Sequence, residues 1–366
     1  MNPDQAITNL IAASAAIVRE TPDYKNGVVT ESVLEQAAHT ALNALAPILG
    51  IPPEILSSVS PGDLTQRLGM QFIVIDGGGY SHLETDAEDH LPWLPQLRSN
   101  IFPETHFWDN YRKLLQSKNL PENVISELDR ITDSVLGDLE NPKREGEWDR
   151  RGLVMGQVQS GKTANYSGLV AKAADAGYKI IIVLAGTYNN LRSQTQIRLD
   201  EAFTGLNSHY GLTAGRAVGV GRGPHQPVIA LTSSEDAGDF RRATAEGIGY
   251  QFGSIQHPTL LVIKKNVSIM KNLYNWMEAV SQTTDGKITN VPLLLIDDEA
   301  DSASINTVNP FKDTGLDSEE IDPTATNMWI RKILNLFAQS SFVGYTATPF
   351  ANIFIDSYAD HPEFGE

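Results

Sequence analysis

Residues 156–163 read Gly-Gln-Val-Gln-Ser-Gly-Lys-Thr, the full G-x-x-x-x-G-K-[ST] pattern. Those residue types at that spacing suit a run of phosphates. The glycines let backbone N–H groups turn inward, Lys162 reaches β- and γ-phosphates, and the Thr163 hydroxyl offers an oxygen to Mg²⁺. The residues expected to touch a nucleotide are Gly156, Gln157, Ser160, Gly161, Lys162, Thr163 and Ala164. A second group of polar residues, Asp297-Asp298-Glu299-Ala300-Asp301, follows the apolar run Leu293–Ile296. A phosphate-transferring site needs one carboxylate to hold the metal and another group to aim the attacking water. Asp298 suits the first task and Glu299 the second, with Lys162 completing the catalytic set. A third group, Thr346-Ala347-Thr348-Pro349, puts two hydroxyls after the apolar segment Phe342–Tyr345. Thr346 and Thr348 can hydrogen-bond to the acidic group and sense the γ-phosphate.

Such groups work only if the chain holds them at adjacent strand ends. Gly152–Met155 is apolar, and Thr163–Ala176 is Ala-rich with helical spacing and stops at Gly177. This strand–loop–helix order directs a helix N-terminus at the phosphates. From Trp148 onward, apolar runs at 179–184, 228–231, 260–263, 293–296 and 342–345 alternate with helical patterns at 189–203, 267–282 and 326–339. Nearly continuous apolar strands separated by helices predict a parallel sheet covered on both faces, with ligands at the strands' carboxyl ends. The expected class is α/β, a P-loop NTPase sheet over 148–366. A mostly helical domain over 1–147 precedes it, with helices at 6–19, 32–49, 108–117 and 122–139 and a strand at 72–75. Residues 141–146 (Asn-Pro-Lys-Arg-Glu-Gly) form the expected boundary. Residues 81–92 hold two histidines and several carboxylates, which read as an exposed acidic loop rather than a metal site. Trp148 and Arg150 can stack on a base, with burial at the domain junction favoured for Trp148.

Composition narrows the classes. The chain has 366 residues and no cysteine, which excludes disulfides and thiol chemistry and suits a reducing cytoplasm. No apolar run approaches the roughly 20 residues of a membrane span. Net charge is −17, from 45 acidic and 28 basic residues. An acidic surface opposes non-specific binding to DNA, so any such contact needs a local basic groove.

The segments 156–166, Asn190–Gln196, Ile296–Asp301 and Gly344–Asn352 closely resemble the bacterial Z-one domain helicase-like ATPases, proteins found beside restriction endonucleases and DNA methyltransferases. The resemblance spans about residues 148–356. It implies the first RecA-like motor domain of a superfamily-2 helicase, using ATP and Mg²⁺, with Thr163 and Asp298 on the metal. Thr346 and Thr348 would couple hydrolysis to domain motion. The helix after the second strand would meet a nucleic-acid backbone, with Arg192, Gln194 and Arg198 as candidates; the alternative is a polar face packed within the protein. Lys264 and Lys265 form a second candidate phosphate contact, or an ordinary basic turn. The implied partners are double-stranded DNA and a restriction endonuclease subunit, since no nuclease pattern occurs here. The resemblance also implies a second motor domain that supplies an arginine. No second strand–helix series follows Thr348, so residues 1–366 are expected to bind ATP–Mg²⁺ but to turn it over slowly alone. The alternative function is a nucleotide-dependent scaffold that does not move on DNA.

Overall fold

The structure is a computed structural model of the chain. It describes residues 3–25, 29, 31–56, 59–69, 90–95, 106–155, 159–210, 212, 215–250, 256–281, 283–284, 286–300 and 323–346. The expected strand at 72–75 and most of the acidic loop at 81–92 lie outside them.

The first helices are α1 (Pro3–Glu20), α2 (Glu31–Thr40) and α3 (Pro61–Gly69). Ala6, Leu10, Val18, Leu34, Ala38, Leu64 and Leu68 recur at helical spacing and form one apolar cluster of their own. Then come α4 (His106–Ser117) and α5 (Glu122–Asp138), followed by β1 (Trp148–Met155), α6 (Gln159–Ala176), β2 (Ile180–Ala185), α7 (Asn189–Leu199) and β3 (Ile229–Ala230). The chain continues with α8 (Arg242–Gly247), β4 (Thr259–Ile263), α9 (Val267–Val280), a small antiparallel pair β5 (Thr283–Thr284) and β6 (Lys287–Ile288), β7 (Leu293–Asp298), α10 (Pro323–Asn335) and β8 (Gln339–Thr346).

Six strands form one sheet in the order β1-β8-β7-β2-β4-β3, every neighbour parallel. The class is therefore α/β, as expected. Side chains alternate across the sheet, and each parity has its own core. Ile181, Val183, Leu294, Ile296, Val343 and Tyr345 face α4, α5 and α6. Ile180, Ile182, Leu184, Leu293 and Leu295 face α8, α9 and α10.

One apolar cluster draws on residues from both sides of 147/148. Phe107, Trp108, Tyr111, Ile125, Leu128 and Val135 belong to the same cluster as Leu169, Val170 and the sheet. Lys172 on α6 fixes α5 by pairing with Asp129 (2.5 Å) and Asp133 (2.6 Å) while lying over the Trp108 ring at 4.3 Å. Asp175 on α6 accepts the Phe107 and Trp108 N–H groups at 3.0 and 2.9 Å, capping α4 from a neighbouring helix. The last predicted helix, 326–339, ends at Asn335, and β8 begins at Gln339 instead of Phe342. Its polar start hid it: Ser341 is satisfied by Tyr178 (2.9 Å), and Gln339 donates to the Arg144 carbonyl (2.8 Å).

Candidate nucleotide site at the carboxyl edge of the sheet

Strand order brings the three polar groups together. β8 lies between β1 and β7. Met155, the residue before the glycine loop, pairs with Thr346, and Tyr345 pairs with Asp298. The loop, the hydroxyl segment and the acidic turn therefore leave three adjacent strands at one level. Parallel neighbours lie about 4.8 Å apart, so the outer two strand tips are separated by roughly 10 Å.

Gly156, Gln157 and Thr348 lie outside the described residues. Ser160 and Gly161 fall in the first turn of α6, followed by Lys162, Thr163 and Ala164. Lys162 and Thr163 are both buried. The α6 N-terminus stands at the end of the sheet where the acids emerge, and the Thr163 carbonyl accepts Ser167 Oγ at 2.7 Å.

The two adjacent aspartates point to opposite faces. Asp298 continues the parity of Leu294 and Ile296 towards α6, where Tyr166 donates to its Oδ2 at 3.2 Å. Burial pushes the Asp298 carboxyl up to about 6; the neighbouring Glu299 adds to the rise, and the Lys162 ammonium, then Lys265 and the Tyr166 hydroxyl, pull it back. Asp298 is thus within electrostatic reach of Lys162. Asp297 has the parity of Leu293 and Leu295 and pairs instead with Lys265 Nζ at 2.6 Å, both side chains fully buried. Glu299 opens the turn after β7 with φ +59°, a left-handed conformation that favours glycine. Thr346 is fully buried at the tip of β8.

The candidate nucleic-acid contacts divide differently. Arg192 is fully buried and donates to the carbonyls of Ser233 (2.8 Å) and Glu235 (2.5 Å), with Asp239 at 3.9 Å. It ties the 233–239 loop to α7 and has no face left for a phosphate backbone, which corrects the expectation for it. Lys265 is likewise a buried ion-pair partner and not an exposed basic turn. Arg198 turns inward and donates to Thr163 Oγ1 at 2.6 Å. Gln194 and Lys264 remain partly exposed. Trp148 is buried with its indole N–H directed at the Arg144 carbonyl (3.3 Å), and Arg150 pairs with Glu140 at 2.9 Å. Both serve the junction below β1 and not a base.

Sequence reasoning missed the tyrosines. Tyr166 and Tyr345 meet edge-to-face at 5.6 Å, and Tyr345 donates to Asn165 Oδ1 at 2.8 Å. The signal was present: Tyr166 stands three residues after Thr163, on the same face of the helix. Among the described residues, no helix is long and apolar enough to cross a membrane. No protein-family model matches the chain, and no curated protein matches it.

Proposed function

We propose that the chain is a helicase-like ATPase subunit that binds ATP–Mg²⁺ on a RecA-like sheet and couples hydrolysis to action on duplex DNA, with cleavage left to a partner nuclease of a restriction or phage-defence system. One observation carries the ATPase assignment: residues 162–163, 298–299 and 346 converge at the ends of three adjacent strands, with Asp298 under the influence of Lys162.

The donor set fits Mg²⁺. A threonine hydroxyl and a carboxylate are hard oxygen ligands, and Thr163 Oγ1 already accepts a hydrogen bond from a cationic group, Arg198. Bound there, the metal would neutralise charge between the phosphates. The chain's own residues do the rest. Lys162 and the α6 N-terminus hold the phosphate oxygens, Asp298 and Thr163 supply the metal ligands, and Tyr166 orients Asp298 by donating to Oδ2. Glu299 holds the attacking water and takes its proton. In this reading Thr346, at the end of the strand between the loop strand and the acidic strand, senses the γ-phosphate.

A nucleotide-dependent switch that never tracks along DNA is the second candidate, favoured by where the basic residues lie and by the overall charge. Arg192 and Lys265 are buried, Arg198 faces the nucleotide site, and the chain carries a net charge of −17. ATP turnover by the full-length protein, with and without duplex DNA, separates the two. Stimulation by duplex supports the motor, and indifference supports the switch. In both, Lys162→Ala abolishes turnover. Glu299→Gln retains ATP binding while turnover collapses by about 10²–10⁴-fold, the range of a general base. Unchanged turnover in Glu299→Gln removes that residue from the chemistry.

A further inference from the structure

Lys265 lies at the tip of β4, two strands away from the acidic turn on β7, with β2 between them. Its ammonium nevertheless reaches both Asp297 Oδ1 (2.6 Å) and the main-chain carbonyl of Glu299 (2.5 Å). The side chain crosses the end of β2, where the chain has Gly186. The Lys265 N–H donates to the Gly186 carbonyl at 2.8 Å. Gly186 has φ +58°, and a Cβ there would come within 2.9 Å of Leu191 Cδ1 and 3.6 Å of Glu299 Oε2. A glycine at this position leaves room beside Leu191 for the Glu299 carboxylate.

Glu299 has φ +59°, a strained conformation for a residue with a side chain. Two hydrogen bonds fix the peptide group that follows it. The N–H of that peptide, on Ala300, donates to the Tyr345 carbonyl at 2.9 Å, tying the turn to β8. Its carbonyl, on Glu299, accepts from Lys265 Nζ. Asp297, on the face away from α6, fixes the lysine. A buried ion pair is weak evidence for stability, because desolvation offsets most of the attraction. Its position under a strained turn suggests a different use.

We propose that Lys265 is a positioning residue for Glu299: anchored on Asp297, its ammonium grips the Glu299 carbonyl and keeps the left-handed turn that aims the Glu299 carboxylate. The proposal rests on the ATP-hydrolysis assignment above and deepens it. Asp297 and Asp298 then divide the work by parity, one facing the clamp and the other facing the phosphate loop. Without the clamp, the turn relaxes and the carboxylate moves away from the attacking water. Misplacement by about 1 Å costs on the order of 10²-fold in rate.

Lys265→Met alone strands the buried Asp297 charge and risks misfolding, so the test uses the paired replacement Lys265→Met/Asp297→Leu, with Lys265→Met/Asp297→Asn as a second form. Both remove the ion pair together. In the full-length protein, affinity for a nonhydrolysable ATP analogue and KM for ATP should stay within about threefold, while kcat falls by about 10²-fold. Adding Glu299→Gln to the pair should cost nothing beyond Glu299→Gln alone, because both changes disable one function. If the paired variants fold and turn over ATP like the parent while Glu299→Gln collapses turnover, the clamp is refuted and the site assignment stands. If the two losses multiply, Lys265 acts independently of Glu299 and the proposal is again refuted. If Glu299→Gln itself changes nothing, the hydrolytic assignment falls and the clamp with it.

Discussion

Asp298 shows how a single residue's surroundings fix its behaviour. Its carboxyl is raised from 3.8 to about 6, chiefly by burial and then by Glu299. Between pH about 4 and about 6 the unfolded chain has released this proton while the folded chain keeps it. Stability from Asp298 is therefore complete at the acid end and lost as pH rises through that window. Without Mg²⁺, the stability of the parent relative to Asp298→Asn should fall by up to about 3 kcal/mol from pH 4 to pH 7. Chemical denaturation across that range checks it; parallel curves would mean that Asp298 is not buried beside Glu299 as described. Residue types and spacing singled out Lys162, Thr163, Asp298 and Glu299 as candidates, and the strands that lead to them are neighbours or next neighbours in the sheet. Types and spacing gave Asp297 no partner of its own, because its pairing with Lys265 follows from which face of β7 it occupies. Nor could they show that Arg192 and Lys265 are spent on carbonyls and a carboxylate, since basic residues in polar segments look alike until their partners are known.

The strands most legible in the sequence were the apolar ones. β2, β4 and β7 stand out as unbroken apolar runs because both of their faces are covered. β8 was only half visible, since its first three residues are polar, and two of them, Gln339 and Ser341, find partners from outside the sheet. The allegiance of α4 and α5 was not legible at all. Amphipathic periodicity shows that a helix buries a face, but not what it buries that face against. Gly168 on α6 marks the contact: a Cβ there would come within 3.2 Å of both Thr132 Cγ2 on α5 and Trp108 Cζ3 on α4. Gly168→Leu should wedge these helices from α6 and destabilise the protein by about 1–3 kcal/mol, read as a lower urea midpoint. An unchanged midpoint would contradict the shared core.

At the scale of the whole molecule, the core around the sheet draws on residues from both sides of the polar stretch at 141–146. Residues 3–69 build one apolar cluster, and the helices from 106 onward join the sheet. A chain beginning at residue 70 should therefore fold cooperatively. One beginning at residue 148 should aggregate, because it uncovers Leu169, Val170 and Ala173 on α6. Size-exclusion chromatography and thermal melts of the two decide it, and a monomeric, cooperatively melting 148–366 would support the boundary read from the sequence. The overall charge of −17 sets a further requirement, that any duplex contact be local or shared with a partner. All of these expectations meet at the strand ends. The most direct measurement is a crystal structure of the protein with a nonhydrolysable ATP analogue and Mg²⁺. The account predicts the triphosphate at residues 156–163, Lys162 Nζ on its β- and γ-phosphates, and the metal between Thr163 and Asp298, with Arg198 displaced from the Thr163 hydroxyl. Phosphates bound elsewhere, or a loop that admits none at millimolar analogue, would contradict it.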